Sequence, residues 1–328
     1  MKLAWISELI LEGKINPDEP NQRVDMVWQI GLDTYHYSWS KIIENPEILK
    51  EYDAALFIIP KKNPALISWI IDLVAKKHTK LILVQEGPCT LWQDWSAFDQ
   101  TQYFNLLKVV DGIFVHGESD KKYYEGLANK KCFVLPTMIN FEFLERIPRT
   151  EKVENAIMVG GNAGNWYSGT SSASIIQGIA EIHKVFFPSM GRRIENEDVL
   201  MSVITDKDIM YFPYTTWSGF ITLLSQVKYA VHLMPAAAAG TFNLNCAVLG
   251  IPCIGNEQTD TQRICFPDLC CNVTDLTRAK ELLQKLIVDP VFFEEITMKA
   301  LENSKYFSTE KQIPIVLQNI QEVINENH

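Results

Sequence analysis

Short apolar runs alternate with longer amphipathic stretches along the first half of the chain. The runs Leu3–Ser7, Ala54–Ile59, Lys80–Gln85, Gly112–His116 and Cys132–Leu135 read as strands. The segments Asn63–Lys77, Phe98–Val109 and Ser119–Leu127 carry the apolar spacing of helices. Ala55-Leu56-Phe57-Ile58-Ile59 and Leu81-Ile82-Leu83-Val84 are apolar without interruption. Runs of that kind belong to strands buried on both faces, as in a parallel sheet covered by helices on each side. Strand–helix alternation then predicts an open, doubly wound sheet.

The pattern breaks between Pro136 and Thr150, where Pro136 and Pro148 bracket a mixed segment. A new strand, Ala156–Val159, runs straight into Gly160-Gly161-Asn162-Ala163-Gly164. The predicted domains are residues 1–145 and 146–307. The second half repeats the first, with strands at Met210–Phe212, Tyr229–Leu233, Cys253–Gly255 and Leu269–Asn272. Helices are predicted at Ser168–His183, Trp217–Gln226, Thr241–Leu249 and Leu276–Ile287, and beyond Asp289 the chain reads as consecutive helices. The expected fold is α/β, with two Rossmann-like, doubly wound domains facing a cleft. In such sheets ligands bind beyond the carboxyl ends of the strands, so functional residues are expected in the loops that follow them.

Bulk properties narrow the class. A length of 328 residues fits two domains at roughly 150 residues each. A hydrophobic share of 47% with 21% charged residues supports a sizeable core and gives no sign of disorder. The formal charge of −10 gives no general attraction to polyphosphate and argues against sequence-independent DNA binding. The seven cysteines include no C-x-x-C pair, which fits neither a zinc knuckle nor a closed disulfide framework. Most stand in apolar runs and are expected as buried, reduced thiols. No signal-peptide cleavage pattern follows Met1, and no apolar run approaches the roughly 20 residues of a membrane span. The expectation is a cytoplasmic protein without a membrane partner.

Two loops of the second half carry candidate chemistry. Gly160, Gly161 and Asn162 follow a strand, where glycines admit close ligand approach and the next helix start offers N–H groups to an anion. The loop is not G-x-G-x-x-G, and no acidic residue has the spacing of a dinucleotide fold. In the other loop, Val231-His232-Leu233-Met234-Pro235 leads through Ala236-Ala237-Ala238-Ala239 to Gly240-Thr241 and a helix. Small residues permit close contact with a ligand, and Thr241 can cap the helix or bind a phosphate oxygen. Helix end and buried strand follow in Leu249-Gly250-Ile251-Pro252-Cys253-Ile254-Gly255.

The order of apolar strand, Pro235, helix start, Leu244-Asn245-Cys246-Ala247 and Gly250-Ile251-Pro252-Cys253 resembles nucleotide-sugar glycosyltransferases of the GT-B fold. Asp111-Gly112-Ile113-Phe114-Val115-His116, Val134-Leu135-Pro136 and Ile157-Met158-Val159-Gly160-Gly161 carry the same likeness. The resemblance implies a nucleotide-diphosphate sugar as donor substrate, no further cofactor, no bound metal, and a C-terminal helix, 308–328, packing back on the first domain. It places donor phosphates at the N–H groups of Ala239, Gly240 and Thr241, and the ribose at Asn245, where the family has its second Glu. The nucleobase falls near Phe212–Trp217, with Tyr214 or Trp217 stacking on it. The chain departs from the family at Ala237, eight residues before Asn245, where the first Glu would read the sugar. The family's Arg-Lys pair after the glycines is also missing, and Arg263 is the substitute considered for the diphosphate charge.

In the first half, Glu86 stands just past a strand, Asp94 lies in Trp92-Gln93-Asp94-Trp95, and His116 ends the next strand. Each is a candidate general base for an acceptor hydroxyl. Trp92 and Trp95, read as solvent-facing, and Glu8 are the acceptor-side candidates, and Tyr35–Trp39 could hold a sugar or a flipped base. Asp206-Lys207-Asp208 spells D-x-D but precedes a strand, and no metal ligands are assigned. The Glu-Gly-Pro and Trp-Gln-Asp segments resemble glycosyltransferases of large tailed phages, which makes a hydroxymethylated pyrimidine in DNA a candidate acceptor. Two competing readings are a sugar-nucleotide epimerase, for which His183 and His232 are the few acid–base groups of the second half, and a non-catalytic nucleotide-sugar-binding protein.

Overall fold

The computed structural model describes residues 1–18, 24–59, 66–76, 78–85, 87–161, 169–188, 204–212 and 215–326. Contacts divide the chain into two units, one of Met1–Glu19, Arg23–Ile139 and Phe307–His328, the other built on Asn140–Tyr306. The described helices of the first stretch are α1 (Val24–Gly31), α2 (Trp39–Glu44), α3 (Leu66–Ala75), α4 (Ala97–Val109) and α5 (Glu118–Ala128). In the second unit they are α6 (Phe141–Glu145), α7 (Gly169–Ser174), α8 (Trp217–Leu224), α9 (Thr241–Val248), α10 (Asp260–Cys265), α11 (Leu276–Val288) and α12 (Pro290–Ser304). The last helix, α13 (Thr309–Asn325), belongs to the first unit.

The first unit's strands are β1 (Leu3–Ser7), β2 (Tyr35–Ser38), β3 (Ala54–Phe57), β4 (Lys80–Val84), β5 (Gly112–Val115) and β6 (Cys132–Val134). They form a parallel sheet in the order β2-β1-β3-β4-β5-β6. Alternate strand residues face opposite ways, which explains the uninterrupted apolar runs. Ala4, Ile6, Ala55, Phe57, Leu81 and Leu83 pack with buried residues of α2, α3, α4 and α5. Leu3, Trp5, Leu56, Ile82 and Phe114 pack with Val27 and Trp28 of α1 and with Val316, Ile320 and Val323 of α13. That i, i+4, i+7 spacing on α13 is the apolar stripe of a helix lying on a core.

The second unit has β7 (Ala156–Val159), β8 (Lys184–Pro188), β9 (Asp208–Phe212), β10 (Tyr229–His232), β11 (Cys253–Asn256) and β12 (Cys270–Cys271). All its pairings are parallel, in the order β12-β11-β10-β7-β8-β9. Read from β9, this is the 3-2-1-4-5-6 order of a dinucleotide-type Rossmann sheet.

Two elements differ from the sequence reading. The predicted helix Ser168–His183 is helical only over α7; Gly178, at φ +73°, turns the chain out of helical geometry. The isoleucines at 175, 176, 179 and 182 mimic a helical stripe, but they are tied by short i→i+3 bonds such as Ile179 N to Ile176 O. Tyr35-His36-Tyr37-Ser38 is strand β2, paired along β1, with His36 and Ser38 buried.

Candidate functional site

In the second unit the strand order reverses between β7 and β10, and that switch point is where an open α/β sheet receives a ligand. Gly160 and Gly161 follow β7; residues 233–240 follow β10. A Cβ on Gly160 would stand 2.7 Å from Cγ of His232 and 2.8 Å from Cδ1 of Phe242, so this glycine is required for the two strand ends to close together. Gly161 has φ +77° and Gly240 φ +70°, both left-handed. A Cβ on Gly240 would run into Oγ1 of Thr261 and lie 2.6 Å from Cγ2 of Thr259. Gly240 is the N-cap of α9, with Thr241 its first residue, so the helix begins without a capping side chain. Its first-turn N–H groups are left to outside acceptors, which is a different arrangement from Thr241 acting as the cap.

Behind the helix start lies a chain of buried polar groups. Gln262 Nε2 donates to the carbonyls of Cys253 at 2.9 Å and Leu269 at 3.2 Å. Asn243 Nδ2 donates to Gln262 Oε1 at 2.6 Å, and Asn243 Oδ1 lies 3.3 Å from His232 Nδ1. His232 Nε2 is shielded from solvent and has no hydrogen-bond partner among the described residues. Burial pushes the imidazole down to about 4, so it is neutral at physiological pH. An unsatisfied buried acceptor costs about 1–3 kcal/mol.

Asn245 is buried, and its Oδ1 accepts from the indole Nε1 of Trp217 at 3.3 Å. Trp217 lies at the start of α8 with its ring tilted on Phe143, 5.8 Å between centroids. The sequence-predicted pair Trp217 and Asn245 is thus brought together, with the Asn245 amide hydrogens as its remaining donors. Ala239 is half-buried beside Gly240. Arg263 sits on helix α10 rather than in a strand-end loop, and it pairs with Asp260 at 2.8 Å. Asn162, Tyr214 and Glu86 lie outside the described residues. The D-x-D aspartates face lysines, Asp206 with Lys207 at 2.9 Å and Asp208 with Lys184 at 3.7 Å. Among the described residues no group of three His, Cys, Asp or Glu is placed to hold a metal ion, and no helix is long and apolar enough to cross a membrane.

The first unit distributes its candidates over two faces. Trp92 and Trp95 are not solvent-facing: a short 3-10 turn, Leu91–Asp94, folds both rings onto Tyr103, at 5.3 and 5.7 Å, against the core under α4. Asp94 is exposed beside them. His116 is buried and stacks on Trp28 at 5.1 Å, on the α1 side of the sheet. The tryptophan turn and His116 therefore do not form one cluster. Glu8 is exposed just after β1. Sequence reasoning took His36 only as part of Tyr35–Trp39, a segment that could hold a sugar or a flipped base, and missed its contact with Ser7 at 2.9 Å at the end of β1. The signal was a lone His in an alternating Tyr-His-Tyr-Ser run, the pattern of a half-buried strand.

No family model and no curated protein sequence matches the chain. Solved structures do. HepE from Anabaena, solved with UDP and glucose, superposes with a TM-score of 0.73 at 8% identity, over 98% of this chain and 100% of that one. Sucrose-phosphate synthase from Thermosynechococcus elongatus gives 0.70 at 10% identity, over 98% and 99%. TarM gives 0.65 at 11% identity over 83% of this chain, which spans 55% of TarM. With the two six-stranded parallel sheets, these likenesses settle the architecture.

The fold is GT-B.

Proposed function

We propose that the chain is a glycosyltransferase that moves a sugar, with UDP-glucose as the working donor, to an acceptor hydroxyl without a bound metal. The observation that carries this reading is the second unit's switch point: left-handed Gly161, the uncapped helix start at Gly240-Thr241, and Asn245 one turn further along α9. The first-turn N–H groups, from Thr241 onward, take the donor phosphates, and the helix dipole offsets the charge that grows on the departing diphosphate. Gly160 and Gly161 keep the opposite wall low, with Asn162 beyond them. Asn245, its oxygen held by Trp217, gives its amide hydrogens to the pentose. Tyr214 stacks on the base, and Arg263 exchanges Asp260 for diphosphate.

The first unit presents the acceptor beside Glu8 and the half-buried edges of Trp92 and Trp95, and one of Glu86, Asp94 or His116 removes the hydroxyl proton. A hydroxymethylated pyrimidine of phage DNA is the acceptor class to try first; the base would be flipped out of its stack. Transfer of labelled glucose to hydroxymethylated but not to unmodified DNA checks it.

The donor reading is tested by a thermal-shift screen with UDP, GDP, ADP, CMP and their sugar conjugates. A ligand at 100 times its Kd adds about 2.7 kcal/mol to stability. A shift with UDP and UDP-glucose that is weakened in Asn245→Ala and abolished in Gly240→Val supports the site. No shift with any of them overturns the glycosyltransferase reading. Ala237, in place of a sugar-reading carboxylate, favours one rival, a non-catalytic binder. Such a protein would shift with UDP-glucose but release no UDP on prolonged incubation.

A further inference from the structure

The polarity of the buried chain behind α9 can be read from one end to the other. Gln262 Nε2 faces two backbone carbonyls, of Cys253 and Leu269, and carbonyls only accept. The orientation of the Gln262 amide is therefore fixed, and its Oε1 faces Asn243. Only the amide nitrogen of Asn243 can donate to that oxygen, at 2.6 Å, which turns Asn243 Oδ1 toward His232. An amide oxygen also only accepts, so His232 Nδ1, at 3.3 Å, must carry the imidazole hydrogen. Nε2 is left as a bare lone pair, shielded from solvent and without a partner among the described residues. The ring cannot easily turn to relieve it. Gly160 presses on one side, and the Phe242 ring meets it edge-on at 5.2 Å on another.

His232 ends β10 at the switch point, and a bare acceptor there selects the chemistry of its partner. Ionised phosphate oxygens are acceptors and would be repelled by it. A hydroxyl can donate to it. In a nucleotide sugar the donors outside the nucleoside are the hydroxyls of the sugar. Ala237 cannot read those hydroxyls, so the second unit otherwise lacks a side-chain acceptor for them at this loop.

We propose that His232 is a sugar-binding residue, held as the Nδ1–H tautomer by Asn243 and Gln262, whose Nε2 accepts a hydroxyl hydrogen of the transferred sugar. The assignment rests on the nucleotide-sugar reading of the site. Asn243 and Gln262 are positioning residues: they touch no ligand and act by fixing which nitrogen is bare.

Calorimetric titration with UDP and with UDP-glucose separates the two ideas. His232→Asn keeps a donor near the Nδ1 position for Asn243 and deletes Nε2. The expected result is unchanged affinity for UDP and about a 10-fold loss for UDP-glucose, partly restored in His232→Gln, which places an amide oxygen near Nε2. UDP-glucose affinity that survives His232→Asn overturns the assignment while leaving the donor site standing. Failure of wild type to bind UDP or UDP-glucose overturns the donor reading, and this assignment falls with it. If the variants do not fold, long-range proton–nitrogen correlation spectra of histidine-labelled wild type decide. The expected spectrum has a protonated Nδ1 and a bare Nε2 whose resonance moves on adding UDP-glucose but not UDP. A protonated Nε2, or an Nε2 that ignores UDP-glucose, overturns it.

Discussion

Each unit holds a histidine at the end of its sheet, and the two are wired alike up to the last atom. In the first unit His36 Nδ1 faces the carbonyl of Leu11, which can only accept, so Nε2 is the acceptor there too. Ser7 Oγ fills it at 2.9 Å, and the Leu9 N–H fills Ser7 Oγ in turn at 3.2 Å. The backbone seals this end, because Gly13 and His36 exchange both of their N–H···O bonds. In the second unit the same tautomer is imposed on His232 through side chains, but the final acceptor is left unfilled. The first histidine ties its own loop to its own sheet. The second has its hydrogen-bonding direction set in advance with nothing of the described chain at its end, which is how a preorganised ligand contact differs from a structural one.

The comparison breaks most severely at its buried end. Gln262→Leu strips donors from two carbonyls and an acceptor from Asn243, and should cost about 4 kcal/mol in denaturant unfolding. Loss below 1 kcal/mol would show that the chain does not fix His232.

Acid sharpens it next. His232 is held near 4 in the fold against about 6.5 unfolded, so its contribution is complete above pH 6.5 and declines as pH falls toward 4. The wild type should lose about 3 kcal/mol across that window through this group alone. The decline should be absent from His232→Asn, so that the difference between the two curves carries it; parallel curves for the two proteins would contradict it.

Ser7→Ala would make the first histidine resemble the second by uncovering Nε2 of His36. About 2 kcal/mol of stability should disappear while UDP affinity stays at the wild-type value. A change in UDP affinity would place the Ser7–His36 pair in the binding machinery instead. The smallest effect is expected at Arg263→Ala, which removes an exposed pair with Asp260. Stability should move by less than about 0.5 kcal/mol, so any weakening of UDP binding measures its diphosphate contact directly.

The sheets were largely legible because parallel strands buried on both faces leave unbroken apolar runs, as in Ala54–Phe57 and Lys80–Val84. Strand β2 escaped notice because one side of it carries exposed or half-buried tyrosines and the other a buried histidine and serine. Strand β8, Lys184–Pro188, went unread, and the isoleucines before it mimic a helical face because their spacing suits short turns equally well. The helix start at Gly240 and the neighbourhood of Asn245 were readable from residue order. The network from Gln262 to His232 was not. Its members are separated by 11 and 19 positions, and they meet only because α9 packs on β10 and β11 while α10 packs on β11 and on α9. Trp92 and Trp95 show the opposite failure: a polar-looking segment suggested exposed rings, but a single 3-10 turn was enough to bury much of them on Tyr103.

Helix α13 sets an order of events during synthesis. All six strands of the second unit's sheet lie within Asn140–Tyr306, and the sheet can close as soon as that stretch has left the ribosome. The first unit begins earlier and finishes later. One face of its sheet, with Trp5, Leu56, Ile82 and Phe114, waits for Val316, Ile320 and Val323 to arrive after the whole second unit has been made. At roughly 5–20 residues per second that interval is on the order of ten seconds. For that time this apolar face of the amino-terminal half has α1 but not α13 upon it, and it is there that a chaperone would find it.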